Sequence, residues 1–403
     1  MTEITTLGVL GAGVMGAGIA QVAAEAGLDV LLHDPLDGAS ERALDRIGGF
    51  LARKAQKGQL TEADASVARA RIRAVAKVAE LARADVVIEA IPEKLKLKRD
   101  AFRRLDADAA PGAILASNTS SLSIAQLASA TEHPERVIGM HFFNPVPLMA
   151  LVEVIPGPMT SPEVVDRVAL LARRMAKTPV VAADTPGFIV NRVQRALYLE
   201  AFRIFEEGVA GLPAIDDAMR LLGFRLGPFE LADVVGTDVN LAAGTAIFEG
   251  YYGDARYRPA QIQRRVVEAG RLGRKSGAGY YDYAEDGSRG DPWAALIQRP
   301  AEAPSPPQLD VAQIGARVLA AIVNEAASTV ADGVASPGAI DVAMRLGSNW
   351  PDGPIAWGER IGLASVVHTL DALHAAVPDG RYRVSPLLRA LAMTGGSFLG
   401  ESS

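Results

Sequence analysis

The 403-residue chain has no cysteine, which excludes disulfides, thiolate metal sites and a thiol nucleophile. Histidine is scarce, with five in all, and aromatic residues make up only 5%. Basic charge is not in excess either. Lys and Arg number 41 against 47 Asp and Glu, a net charge of −6, which argues against nucleic acid as a partner. No apolar stretch is free enough of glycine and charge to span a bilayer, so no membrane partner is expected. The first strand-like run, ITTLGVLGAG, begins almost at Met1 and does not resemble a signal peptide, so no secretory leader is expected. A cytoplasmic protein is the expectation. The chain is also too long for one ordinary core, so two or three domains are expected.

What is present has a clear order. From Ile4 to Asp184, the runs TLGVLG, DVLLHD, DVVIEAI, AILASN and RVIGMHFF read as strands buried on both faces. ERALDRIGGFLARKAQ and KLKRDAFRRLDADA, between them, repeat apolar residues at helical spacing. Such alternation predicts an α/β, Rossmann-type domain over residues 1–184, with a parallel, doubly wound sheet.

The first turn of that domain reads GAGVMG, residues 11–16. It follows a strand and opens a helix, the context that gives a GxGxxG pattern meaning. Gly11 allows the tight turn, Gly13 lets a pyrophosphate approach the backbone, and Gly16 lets helix and strand pack closely. Val14 and Met15 fill the turn between them. The free amides at the helix start face the phosphates. The next strand ends on Asp34, which would accept hydrogen bonds from both ribose hydroxyls and repel a 2′-phosphate. No arginine follows before Arg42, so NAD is expected rather than NADP.

His141 lies in the apolar run MHFFNPVP. A lone histidine there would ordinarily be a satisfied core residue. Twelve residues on, however, Glu153 is flanked by Leu151, Val152, Val154 and Ile155. A carboxylate in such company needs a partner or takes up a proton. An imidazole and a carboxylate near the end of one sheet solve each other's problem: Glu153 orients the ring, and the second nitrogen is left to take a proton from a substrate hydroxyl. Between the cofactor turn and His141 lies ASNTSSLSIAQLA. Here Ser120 or Ser121 is expected to cap a helix, with one hydroxyl also facing the crevice. Further on, DTPGFIVNR turns through Pro-Gly into a helix carrying Asn191.

These segments, with VIEAIPEKLKLK, GPFELADVVG and GRKSGAGYYDY, resemble the 3-hydroxyacyl-CoA dehydrogenase family across about residues 5–283. The resemblance implies NAD-dependent oxidation of the 3-hydroxyl of an acyl-CoA to the 3-ketoacyl-CoA, with no metal. It implies His141 as catalytic base and Glu153 as its orienting partner. Ser120 and Asn191 would hydrogen-bond the substrate, and Asn144 would border the nicotinamide. Met15, Asp34, Glu93, Lys98 and Lys275 match cofactor positions, and Lys57 matches a lysine that contacts CoA. Phe50 stands where some members carry a serine for the same ligand, a departure from the pattern.

The remainder reads as two tandem all-α domains, residues 185–283 and 309–403, joined by a Pro-rich linker over 284–308. Ile215-Asp216 recurs as Ile340-Asp341, and Ala218-Met219-Arg220-Leu221 as Ala343-Met344-Arg345-Leu346, both at an offset of 125 residues. Gly227-Pro228 and Gly236 recur as Gly353-Pro354 and Gly362 after one insertion. The position matching Asn191 is Ala316, and DTPGF has no counterpart, so the second copy is expected to be degenerate. In single-copy members this domain forms the dimer interface. A tandem copy therefore looks like a partner fused into one chain, as in the dehydrogenase part of bacterial multifunctional fatty-oxidation proteins. No hydratase-like region precedes the dehydrogenase motifs, so one activity is expected. Two other readings stay open from sequence: a dehydrogenase of the same architecture acting on a free 3-hydroxy acid, and a non-catalytic NAD-binding structural protein.

Overall fold

The computed structural model describes residues 3–296 and 306–400. The chain divides into two compact units, residues 1–188 and 189–403.

The first unit is an eight-stranded sheet. Its elements run β1 (Thr6–Leu10), α1 (Val14–Glu25), β2 (Asp29–His33), α2 (Ala39–Gln56), α3 (Glu62–Ala70), β3 (Ile72–Ala74), β4 (Val86–Glu89) and α4 (Leu95–Asp108). They continue through β5 (Ile114–Ser117), α5 (Ile124–Ala128), β6 (Val137–Phe142), β7 (Leu151–Pro156), α6 (Pro162–Arg174) and β8 (Thr178–Val181). The strand order is β3-β2-β1-β4-β5-β6-β7-β8. Leu7, Val9, Val86, Ile88, Ile114 and Ile138 are fully buried in the sheet, which accounts for the continuous apolar runs. The order reverses between β1 and β4, the switch point beside which open α/β sheets bind ligands. One expectation needs correcting. β6 and β7 pair antiparallel, because the short connection over residues 143–150 cannot carry a crossover helix back to a parallel start.

The second unit is helical: α7 (Val190–Glu207), α8 (Leu212–Leu221), α9 (Pro228–Val235), α10 (Thr237–Gly250), α11 (Gln261–Glu268), α12 (Val311–Ala331), α13 (Pro337–Ser348), α14 (Pro354–Ile361), α15 (Leu363–Ala376) and α16 (Pro386–Thr394). Part of the stretch expected as a linker is instead paired, since β9 (Tyr281–Tyr283) and β10 (Arg289–Pro292) form an antiparallel ribbon. The middle of that stretch, residues 297–305, lies outside the described residues. By length and composition α12 could cross a membrane, contrary to the sequence reading, but most of it is buried within the protein.

Helices α7 and α12 pack against each other through exchanged ion pairs. Arg192 donates to Glu325 at 2.7 Å and to Asp332 at 2.6 Å. Arg317, 125 positions after Arg192, donates to Glu200 and, at 2.7 Å, to Glu207. Tyr257 donates its hydroxyl to Glu325 at 2.6 Å and Tyr382 to Glu200 at 2.9 Å. Arg383 pairs with Asp254 at 3.0 Å and Arg258 with Asp379 at 3.6 Å. Each contact has its mirror image in the other copy, the pattern of a self-complementary, two-fold interface.

Candidate active site

The glycine-rich turn after β1 is shaped by close approach. Gly11 has φ +104°, and a side chain there would collide with the backbone of Ala90. One at Gly16 would overlap the carbonyl of Gly11. At Gly13 nothing lies within 4 Å, so the space above the turn is open. Helix α1 begins there with no side-chain cap and no acidic residue in its first turn. Its leading amides and its dipole are therefore available to an anion. Asp34, at the end of β2, is fixed by the amides of Ala12 (2.7 Å) and Leu36 (2.9 Å). A carboxylate has about four acceptor sites, so two remain for a diol. These residues fit the pyrophosphate and ribose of a dinucleotide. Met15 is half-buried and Val14 exposed beside them.

After β4 and β5 lies a charged cluster that the sequence only half disclosed. Lys98 is buried, with its ammonium 2.7 Å from Glu89 and 3.0 Å from Glu93. It is neither a solvated charge nor open to a ligand. Glu89 also accepts from the Ser117 hydroxyl and the Ile91 amide, both at 2.7 Å. Burial pushes the Glu89 carboxyl above its usual range against the pull of Lys98. For Glu93, burial is outweighed by Lys98 and the donors around it, which hold its carboxyl below that range. Those donors belong to the serine loop: Thr119 hydroxyl at 2.5 Å, Ser120 amide at 2.9 Å and Ser121 amide at 3.1 Å. Lys98 thus fixes Glu93, and Glu93 fixes the loop that carries Ser120.

Neither Ser120 nor Ser121 caps a helix, contrary to expectation. Helix α5 starts at Ile124 with Ser123 as its cap residue. Its first amides are taken by Asp184, which accepts from Ile124 at 3.0 Å and Ala125 at 2.9 Å. The carboxylate does what a serine hydroxyl would do, with charge added. The Ser120 hydroxyl lies 3.4 Å from Glu93.

His141 and Glu153 are cross-strand partners in the β6–β7 pair. The imidazole Nδ1 lies 2.7 Å from Glu153 Oε2, with Glu153 fully buried and His141 nearly so. Phe143 and Phe188 flank the ring, with centroids 4.5 and 5.9 Å away. Asn118 holds this strand end by accepting from the Phe142 amide at 2.8 Å. Beside these residues, Asn144 borders a groove of about 510 Å³ that also runs past Arg46, Phe50, Arg53, Lys54 and Lys57. Phe50 is half exposed, with the Arg53 guanidinium 4.8 Å above its ring.

In the helical unit, Asn191 is the second residue of α7. Lys275 pairs with Asp238 at 2.6 Å, holding that carboxyl below its usual range through this hydrogen bond first of all.

Sequence reasoning missed Glu89, Asn118 and Asp184. Glu89 carried much the same signal as Glu153, an acid in an otherwise apolar strand. Asn118 and Asp184 sit in polar loops where nothing local distinguishes them.

The open glycine turn, the pinned acid after β2 and a paired imidazole at one sheet edge define an NAD-dependent dehydrogenase. The family profile described as "3-hydroxyacyl-CoA dehydrogenase, NAD binding domain" matches residues 6–185. The corresponding C-terminal domain profile matches twice, at 187–283 and 314–397. The chain belongs to the 3-hydroxyacyl-CoA dehydrogenase family, and NAD is its cofactor. It is 36% identical to 3-hydroxyadipyl-CoA dehydrogenase of Escherichia coli, covering 98% of both chains. It is 47% identical to a probable 3-hydroxybutyryl-CoA dehydrogenase of Bacillus subtilis, covering 70% of this chain and 99% of that one. The crystal structure of 3-hydroxybutyryl-CoA dehydrogenase from E. coli K12 superposes with a TM-score of 0.89 at 36% identity, over 98% of this chain and 99% of the other.

Proposed function

We propose that the chain oxidises the 3-hydroxyl of a 3-hydroxyacyl-CoA, with His141 as the general base. The observation that carries the assignment is the 2.7 Å contact between His141 Nδ1 and buried Glu153. It leaves the second ring nitrogen, Nε2, to accept the hydroxyl proton. Glu153 fixes the ring and offsets the positive charge that develops on it. NAD, when bound, accepts the hydride that leaves C3 as the O–H proton departs.

Gly11, Gly13, Val14, Met15, Gly16 and Asp34 would hold the dinucleotide, with Asn144 beside the nicotinamide. Glu93, backed by Lys98, would set the loop at the cofactor's edge. Ser120 and Asn191 would hydrogen-bond the substrate oxygens, so that the C3 hydrogen points at its acceptor. Lys275 would approach the cofactor only by sharing itself with Asp238. Lys57, with Arg46 and Arg53 along the groove, suits the phosphates of CoA, and the exposed Phe50 ring offers an apolar face to the adenine. The second helical copy would take the place of a dimer partner.

The test is NADH formation by the purified chain with 3-hydroxybutyryl-CoA and with free 3-hydroxybutyrate. Turnover confined to the thioester is the expected result. Turnover of the free acid alone would favour a hydroxy-acid dehydrogenase. NADH binding with no turnover on any CoA thioester would leave a non-catalytic NAD-binding protein.

A further inference from the structure

The loop between the two strands of the His141–Glu153 pair is built over a buried cation. Residues 143–150 join β6, which carries His141, to β7, which carries Glu153. Pro145 and Pro147 lie in this loop and bring no amide donor to it. The amides of Leu148 and Met149 both turn back on the Pro145 carbonyl, at 2.9 and 3.0 Å. The carbonyls of Val146 and Met149 are met from outside the loop, by the ammonium of Lys177 at 2.5 and 2.8 Å.

Lys177 is 7% exposed and stands just before β8, after Ala176, whose φ is +56°. The amide of the next residue, Thr178, donates to the Ala150 carbonyl at 2.7 Å. Two consecutive residues therefore hold three carbonyls of the loop. Burial draws the Lys177 ammonium below its usual range, with Glu25 of α1 opposing and Lys54 of α2 adding to the fall. Glu25 is engaged elsewhere, accepting from Gln21 at 2.8 Å and Lys54 at 2.5 Å. An enclosed ammonium whose hydrogen bonds go to neutral carbonyls is costly. A neutral apolar side chain would fill the space at less cost, but it would leave both carbonyls unmet.

What the loop carries accounts for that cost. Asn144, Pro145, Val146, Pro147 and Leu148 line the groove together with α1 and α2. Val146 also packs closely on α1, where a side chain at Gly18 would stand 2.8 Å from its Cβ. His141 and Glu153 need no such support, since the β6–β7 ladder already sets them opposite each other. The segment that depends on Lys177 is the groove wall.

We infer that Lys177 is a positioning residue for the thioester, holding the Asn144–Leu148 wall of the groove where the arm of the substrate lies. The inference rests on the assignment of this groove to CoA. Lys177 does not line the groove itself and acts through the two carbonyls.

The experiment is Lys177→Met, which keeps the length of the stem and removes the ammonium. Kinetics are measured with 3-hydroxybutyryl-CoA and with 3-hydroxybutyryl-pantetheine, which has no phosphate, and Tm and the Kd of NADH are taken alongside. KM for the CoA thioester should rise about tenfold, the scale of one hydrogen bond to a charged group, with kcat and the Kd of NADH within about threefold. For the pantetheine thioester kcat/KM should fall by the same factor. Lys177→Arg, with charge and donors kept, should recover part of the loss. Lys177→Gln, a neutral donor on a shorter stem, should fall between wild type and Lys177→Met, and it decides the matter if Lys177→Met does not fold. A lower Tm with KM unmoved would make Lys177 purely structural and overturn the inference. A loss confined to the CoA thioester would overturn it too, since Lys177 would then act as a charge on the phosphates. Absence of wild-type turnover with either thioester would overturn the reaction assignment itself and this inference with it.

Discussion

His141 and Glu153 face each other directly across the antiparallel β6–β7 pair, with 2.7 Å between Nδ1 and Oε2. The two residues are brought opposite each other by backbone register rather than by a loop. His141→Gln should therefore lower kcat by about a hundredfold or more, the usual worth of a positioned base, while NADH affinity is retained. Glu153→Gln should also slow turnover, because the ring loses its countercharge. Steady-state kinetics with NADH titration checks both, and near-normal turnover in His141→Gln would sink the assignment.

Asp34 is held by two backbone amides at the end of β2, so its carboxylate cannot swing away from a 2′-phosphate. The wild type should favour NAD over NADP. Asp34→Ser should narrow the ratio of kcat/KM by about tenfold, the scale of one charged contact. A wild type that already prefers NADP would mean that this strand end has been misread.

Arg192 and Glu200 are fully enclosed where α7 meets α12. Cutting the chain at about residue 284 removes Glu325 and Arg317, their partners. Because the contacts are exchanged between copies, a second truncated chain can present Glu200 to Arg192 and Arg192 to Glu200. Light scattering should find a dimer or larger species, and Glu200→Ala in the truncated chain should weaken it. A stable, soluble monomer would show the second copy to be an appendage.

Asp216 is buried between the Phe229 amide (2.9 Å) and the Tyr281 hydroxyl (2.8 Å), and burial pushes its carboxyl up to about 7. The folded state then holds a proton that the unfolded chain releases near the ordinary value of 3.8. Stability from this group is greatest at low pH and is lost as pH rises toward the folded value. Asp233, raised to about 6 by burial, acts in the same direction. Between about pH 5 and pH 8 the wild type should lose a few degrees more in Tm than Asp216→Asn. Parallel Tm profiles would show that Asp216 titrates normally.

Much of this was legible in the chain itself. The glycine turn, the acid after β2 and the His141–Glu153 pair each join a residue type to a pattern of neighbours, and such signals survive folding. The repeat was legible because residues of matching helices, such as Ile215-Asp216 and Ile340-Asp341, recur at a fixed spacing. The direction of β7, the Asp184 cap and the burial of Lys98 were not. Each depends on which segments become neighbours, and Lys98 in EKLKLKRD looks no different from the exposed lysines around it.

The exchanged contacts between α7 and α12 have a consequence for how the protein behaves on dilution. A two-chain version of this interface would be subject to mass action and would come apart below its dissociation constant. Here Arg192–Glu325 and Arg317–Glu200 are made within one molecule, at an effective concentration that no dilution changes. A fused interface also need not match itself. In a homodimer each substitution strikes both halves at once, whereas here Asn191 could be kept on one side and replaced by Ala316 on the other.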